Sequence, residues 1–376
     1  MRSARGRIWA NLGLALLTLL VCLLTLEVAA RLLRLGRDAE NTHVLRNVAP
    51  GKLSYAPGSE QRYQTSEIDF TLRVNRFGRR DEEWTQEMLD DPSNVVFIGD
   101  SFVLGYGVAD SSTQPSLLER ARARAGRPMQ VFNFGFTGGP PEYVRLLEDA
   151  LALGVAARLV VVGLFTGNDF AIGPILSPAQ KRAADGRRLR LPESVLARYL
   201  KQRIVSSPRA VGLMLKLGDV LGVPLYSSPQ SFVFLRSPSK AQKDHVEAVL
   251  ANLATMRSLC EGANKELVVV IFPNKVQVEN PGELTSSIYD ADRPNMLVRE
   301  FCEREGLDCL DLTPVLRDEF ARTRRPLYFS VDRHLTERGN EVAAAAVFGF
   351  LEDRRPAGLG EPLPVEVERA RNIEQP

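Results

Sequence analysis

Leu159-Val160-Val161-Val162-Gly163-Leu164-Phe165 is a run of seven residues with no polar side chain. A strand of that composition must be covered on both faces, which restricts it to a sheet held between layers of helix. Shorter strand-like segments recur at 95–98, 129–133, 267–272 and 309–312. Helical patterns lie between and after them, at 114–125, 240–263, 293–305 and 336–351, and Pro140 and Pro141 open another that reaches residue 153. This alternation predicts an α/β fold, a three-layer α/β/α sandwich around about five parallel strands, of the flavodoxin-like kind. A length of 376 residues with 44% hydrophobic content supplies ample core for one large domain or two smaller ones.

The leader sets the compartment. Residues 8–26 carry no charge and have about the length a helix needs to cross a hydrocarbon layer roughly 30 Å thick. Arg2, Arg5 and Arg7 precede it, which favours an N-in orientation with the body outside the cytoplasm, although Arg31, Arg34 and Arg37 follow on the far side. Residues 1–35 are therefore expected to be an uncleaved transmembrane anchor. A cleaved signal peptide is the rival, because Val28-Ala29-Ala30 offers small residues, but Glu27, Arg31 and Arg34 continue a helical pattern past that point. Cys22 follows Val21, too large for a lipoprotein cleavage site, and reads as an apolar helix residue.

Behind the anchor, residues 36–92 form a mixed collar in which 69–74 alternates like an exposed strand, followed by a turn at Asn75-Arg76-Phe77-Gly78. The main domain is expected over 93–352, interrupted at 171–237 by a proline-rich insertion over one face, in the manner of a lid. Beyond residue 353, Pro, Glu and Arg give a mobile tail. A net charge of +2 provides no basic field for a nucleic-acid partner. Cys260, Cys302 and Cys309 are too few for a disulfide framework and read as small buried side chains, with a Cys302–Cys309 bridge as the alternative in an oxidising compartment. The composition sets no oligomeric state.

Four motifs fall at the carboxyl ends of the expected strands, the edge of an open α/β sheet where ligands collect. The first is Gly99-Asp100-Ser101, whose plain alternative is a cap for the next helix. The second is Asn133 to Gly139, where Gly138 can bring a bare backbone N–H close to a substrate. The third is Thr166-Gly167-Asn168-Asp169, with the Asn168 amide able to aim at the same point. Ordinary turns are the alternative for both. The fourth is Asp332-Arg333-His334, in which a carboxylate beside a histidine provides the base a serine hydroxyl needs. The other histidines are less suited: His43 lies in a polar setting and His245 in mid-helix, on an expected solvated face. With three scattered histidines and no Cys-x-x-Cys, no metal or cofactor is expected.

In this order, at strand ends, the motifs resemble those of the SGNH (GDSL-like) hydrolase superfamily, and the resemblance covers residues 95–351. It implies Ser101 as nucleophile, His334 as base and Asp332 as its acid partner. It also implies an oxyanion hole from the backbone N–H groups of Ser101 and Gly138 and the side chain of Asn168. The leader and the strand-turn at 74–78 are similar to bacterial membrane-anchored members. One departure is the Asp-x-His spacing, where much of the superfamily has Asp-x-x-His; the shorter form resembles a subgroup that includes alginate O-acetyltransferase-like proteins. Losing one residue changes the face Asp332 presents, so its bond to His334 is a specific expectation. The resulting expectation is an extracytoplasmic serine esterase acting on acyl or acetyl esters of lipid or glycan, held to the membrane by its N-terminal helix. An O-acyltransferase acting on an envelope polysaccharide, or a catalytically silent binding domain in envelope assembly, are the alternatives.

Overall fold

A computed structural model describes residues 2–33, 49, 53–65, 67–170, 194–206, 208–221 and 231–354. His43, residues 171–193 and 222–230 of the expected insertion, and the tail beyond 354 lie outside the described residues.

Strands β1 (Glu60–Gln64) and β2 (Asp69–Arg73) form an antiparallel hairpin. Strands β3 (Val95–Gly99), β4 (Val131–Gly135), β5 (Leu159–Phe165), β6 (Glu266–Phe272) and β7 (Asp308–Asp311) form one parallel sheet in the order β4-β3-β5-β6-β7. The long apolar run sits centrally as β5, between β3 and β6. Its side chains alternate as a doubly covered strand requires. Val160, Val162 and Leu164 join one core with residues of the helices Pro140–Ala152, Lys240–Gly262 and Arg293–Glu305. Val161 joins a second core with residues of Gln114–Arg124, Thr313–Thr323 and Glu337–Asp353. The molecule is thus the expected three-layer α/β/α sandwich. Its strand order reverses between β3 and β5, which makes their carboxyl ends the switch point of the sheet.

The collar departs from the sequence expectation of one exposed strand. Phe70 and Leu72 of β2 are buried with Tyr63, whose ring stacks on Phe70 at 5.1 Å. The pairing strand Glu-Gln-Arg-Tyr-Gln escapes a sequence reading because Tyr63 is its one apolar side chain. Arg79 and Arg80, almost fully buried, stitch the collar to the main layer. Arg79 bonds Asp149 at 3.0 Å, and Arg80 bonds Asp110 at 2.7 Å while donating to the Gly105 and Val108 carbonyls.

On the outer edge of β4, side chains accept the N–H groups left over by the ladder. Glu119 takes that of Val131 at 2.8 Å, Asp81 that of Asn133 at 3.0 Å, and the Asn133 side chain that of Gly135 at 2.9 Å.

The described residues of 195–221 are helical. Helices Val195–Ser206 and Pro208–Leu221 are present, Pro208 standing at a first helical position where no N–H is needed. Phe232, Val233 and Phe234 are buried core residues. His245 is half-buried, its ring edge-on to Phe232 at 5.8 Å, instead of on a solvated face. Cys302 and Cys309 are unbridged thiols in mutual contact.

At the N-terminus, helix Arg2–Leu32 includes the stretch Gly13–Leu32, long and apolar enough to cross a membrane. It runs through the small residues at 28–30 without a break. Its Glu27 carboxylate accepts from Ser194 Oγ (2.7 Å), Val195 N–H (2.9 Å) and Leu196 N–H (3.0 Å), capping the helix Val195–Ser206.

Candidate active site

Ser101 is the first residue of a short helix, Ser101–Leu104, that leaves β3 abruptly. The helix is capped by Asp100, whose carboxylate accepts the Phe102 N–H at 2.8 Å. The capping role open to this motif therefore falls on the aspartate and leaves the Ser101 hydroxyl free to point elsewhere. Two glycines permit the tight turn. A Cβ on Gly99 would lie 2.4 Å from Val103 Cγ2, and one on Gly135 of β4 would lie 2.1 Å from the Leu104 nitrogen. The helix after the serine thus rests directly on the neighbouring strand.

His334 comes to this turn from the other end of the chain. Residues 327–336 double back on themselves: Tyr328 bridges to Leu335, Phe329 N–H donates to the His334 carbonyl at 2.9 Å, and Thr336 N–H to that of Leu327 at 2.9 Å. His334 Nε2 lies 2.6 Å from Ser101 Oγ. Its Nδ1 makes a short contact with Asp332 Oδ1, which also accepts the His334 backbone N–H at 3.3 Å. The rings of Phe102 (5.1 Å) and Tyr106 (4.9 Å) flank the imidazole and leave it little rotational freedom. Asp332 is 5% exposed and His334 20%.

The departure in spacing is resolved by the backbone. Arg333, between the acid and the histidine, has φ +73°, a left-handed conformation unusual for a side chain other than glycine. The Asp332 side chain bonding two residues ahead is an Asx-type turn, which serves the shorter loop. Asp332 therefore meets Nδ1 of the imidazole while Nε2 faces the serine.

Burial opposes a charged imidazole at His334, but the nearby carboxylates of Asp332 and Asp100 outweigh it and raise its pKa above the usual 6.5. Asp100 is pushed up to about 6 by its own burial, against the Phe102 N–H, the His334 charge and the Asn168 side chain, which favour its ionised form.

Gly138 and Asn168 lie on the loops after β4 and β5, the two strands flanking β3. Gly138 is buried, and its turn is pinned by the Gly139 N–H donating to Glu142 at 3.0 Å. A Cβ there would come within 2.8 Å of Glu142. Among the described residues, the backbone N–H groups of Ser101 and Gly138 are engaged by no hydrogen-bond acceptor. The Asn168 turn is anchored by Asp169, which accepts from Phe165 N–H (2.7 Å) and Tyr143 Oη (2.8 Å). Burial, followed by the Asp100 charge, raises the Asp169 pKa well above normal. The structure thus brings Ser101, His334 and Asp332 into contact and sets Gly138 and Asn168 on either side of them. Among the described residues no cluster of three or more His, Cys, Asp or Glu is placed to hold a metal.

One residue at the site has no sequence signal. Glu67, in the collar hairpin turn, accepts the Val331 N–H at 2.8 Å and the Asp332 N–H at 3.1 Å.

No curated protein matches the sequence. Solved structures of similar shape include a lipolytic G-D-S-L family protein from Veillonella parvula (11% identity, 69% of this chain and 98% of that one, TM-score 0.39). Others are a lipase/acylhydrolase from Enterococcus faecalis (16%, 69% and 96%, 0.38) and the psychrotrophic esterase EstA from Pseudoalteromonas (12%, 69% and 97%, 0.38). Residues 231–375, which include Asp332 and His334 but not Ser101, match the family described as "SGNH hydrolase-like domain, acetyltransferase AlgX". That carboxyl-terminal part of the chain is therefore similar to the SGNH hydrolase-like family.

Proposed function

We propose that this protein performs acyl transfer through a covalent serine ester, as an extracytoplasmic enzyme acting on acyl or acetyl esters of lipid or glycan. The observation that carries the reading is the continuous chain Ser101 Oγ, His334 Nε2, His334 Nδ1, Asp332 Oδ1. A serine hydroxyl is too weak an acid to ionise unaided, and an adjacent imidazole removes that barrier.

In the proposed reaction Ser101 Oγ attacks the ester carbonyl while His334 Nε2 takes its proton. Asp332 fixes the tautomer and stabilises the imidazolium. The oxyanion is received by the N–H groups of Ser101 and Gly138 and by the Asn168 amide, each worth on the order of 10²–10³ in turnover. The His334 proton then passes to the departing alkoxide. The serine ester that remains is released by an acceptor hydroxyl, deprotonated by the same imidazole.

Where that acceptor is water, the enzyme is an esterase. Where it is a polysaccharide hydroxyl, the enzyme is an O-acetyltransferase, a second reading favoured by the match to a family described as acetyltransferase. The helix Gly13–Leu32 supports attachment to a membrane with the site outside the cytoplasm.

The test is turnover of an acetyl ester by the full chain in detergent, with and without an added polysaccharide. Free acetate supports the hydrolase, acetylated polysaccharide the transferase. Turnover retained by Ser101→Ala would overturn both.

A further inference from the structure

We infer that Glu67 is a positioning residue for this site, through which the collar holds the histidine loop in its working geometry. The inference rests on reading Ser101, His334 and Asp332 as a triad. The tip of that loop is where support is most needed. Its base is closed by the Tyr328–Leu335 bridge, but the tip contains the left-handed Arg333, and the N–H groups of Val331 and Asp332 face away from the loop's own carbonyls. One carboxylate takes both: Val331 at 2.8 and 3.1 Å to its two oxygens, and Asp332 at 3.1 Å. Hydrogen bonds to an ionised acceptor are about twice as strong as neutral ones, so this clamp is firm for a side chain so near the surface.

Glu67 is itself well held. The Thr65 hydroxyl accepts the N–H groups of Glu67 (3.2 Å) and Ile68 (3.1 Å), and Thr65 N–H closes the turn on the Ile68 carbonyl at 2.7 Å. Ile68 is buried, and both it and Phe329 of the histidine loop lie against Gly107. The carboxylate is thereby fixed to the core on one side and to the Asp332 backbone on the other. Glu67 touches no reacting atom. It acts through the residue that orients His334, and an error of about 1 Å in such a group costs around 10² in rate.

The experiment labels the full chain, in detergent, with a fluorophosphonate. Ser101 Oγ displaces fluoride at phosphorus, which reads triad competence without the natural substrate. In Glu67→Ala the limiting labelling rate is expected to fall about 10- to 100-fold while half-saturation and thermal midpoint stay nearly constant. Glu67→Gln, which keeps a carbonyl acceptor at the same reach, restores most of the rate, and Glu67→Asp, one methylene shorter, does not. An unchanged rate in Glu67→Ala, or Gln and Asp variants both equal to wild type, overturns the positioning role and leaves the triad standing. Should the Ala variant fail to fold, the Gln and Asp pair alone decides. Undiminished labelling of Ser101→Ala overturns the triad reading and this inference together.

Discussion

Asp332 holds His334 at two points, accepting its backbone N–H at 3.3 Å and contacting its ring Nδ1 with the same oxygen. This double hold is available only because Arg333 between them adopts φ +73°. A left-handed residue costs about 1–2 kcal/mol unless it is glycine. Arg333→Gly is therefore expected to retain fluorophosphonate labelling, whereas β-branched Arg333→Val should lose about 1–3 kcal/mol of stability and most of the labelling rate. Chemical denaturation and labelling of the two variants side by side check this.

Replacing Asp332 by asparagine preserves the shape of the turn but allows the wrong imidazole tautomer. Turnover of Asp332→Asn should fall on the order of 10³–10⁴-fold, by the logic of Ser-His-Asp enzymes, with little change in the circular dichroism spectrum.

The pH profile follows from the charges facing His334. The base must be neutral to accept the serine proton, so kcat/KM should rise with pH through a pKa above 6.5, and Asp332→Asn should move that limb toward acid. Stability runs the other way. A histidine whose pKa is raised by folding stabilises the protein fully below the unfolded value, and the contribution disappears as pH climbs through the folded value. Asp81, pushed up to about 7 by burial, and Glu119, pushed up to about 8 by burial, act in the same direction, because folding favours their protonated forms. Thermal melts should therefore show a lower midpoint at pH 9 than at pH 6, while activity is higher on the alkaline side of the histidine limb.

Arg80 supports the serine side of the site as Glu67 supports the histidine side. Its guanidinium donates to Leu104 and Gly105, at the end of the Ser101 helix, and to Val108. Arg80→Ala removes the side-chain donor of the Leu104 and Val108 carbonyls, at about 1–3 kcal/mol each, and should lower the thermal midpoint markedly. Arg80→Lys should rescue poorly, because an ammonium cannot reproduce the planar fork. Differential scanning calorimetry of both variants measures this.

The sheet was readable because its inner strands β3, β5 and β6 are nearly pure apolar runs, and the helix Arg293–Glu305 because of its periodicity. Ser101, Gly138, Asn168, Asp332 and His334 stood out for a related reason: each follows such a run or precedes a clear helix. What could not be read were features defined by distant partners. Strand β1 has little hydrophobic signal of its own, and the helix Thr313–Thr323 begins with a Thr-Pro pair that looks like a strand end. Pro208 reads as a breaker in sequence, yet it starts a helix. Glu67 is a polar turn residue 264 positions from the N–H it binds, and no local pattern distinguishes it.

The outer rim of β4 has a further consequence. An unfinished sheet border is a template on which another chain can add a strand, and long borders of this kind seed aggregation. Here the three outward donors of Val131, Asn133 and Gly135 are already occupied by side chains of the same molecule. A second copy or an extended peptide approaching that border therefore finds none of these three N–H groups free to pair with.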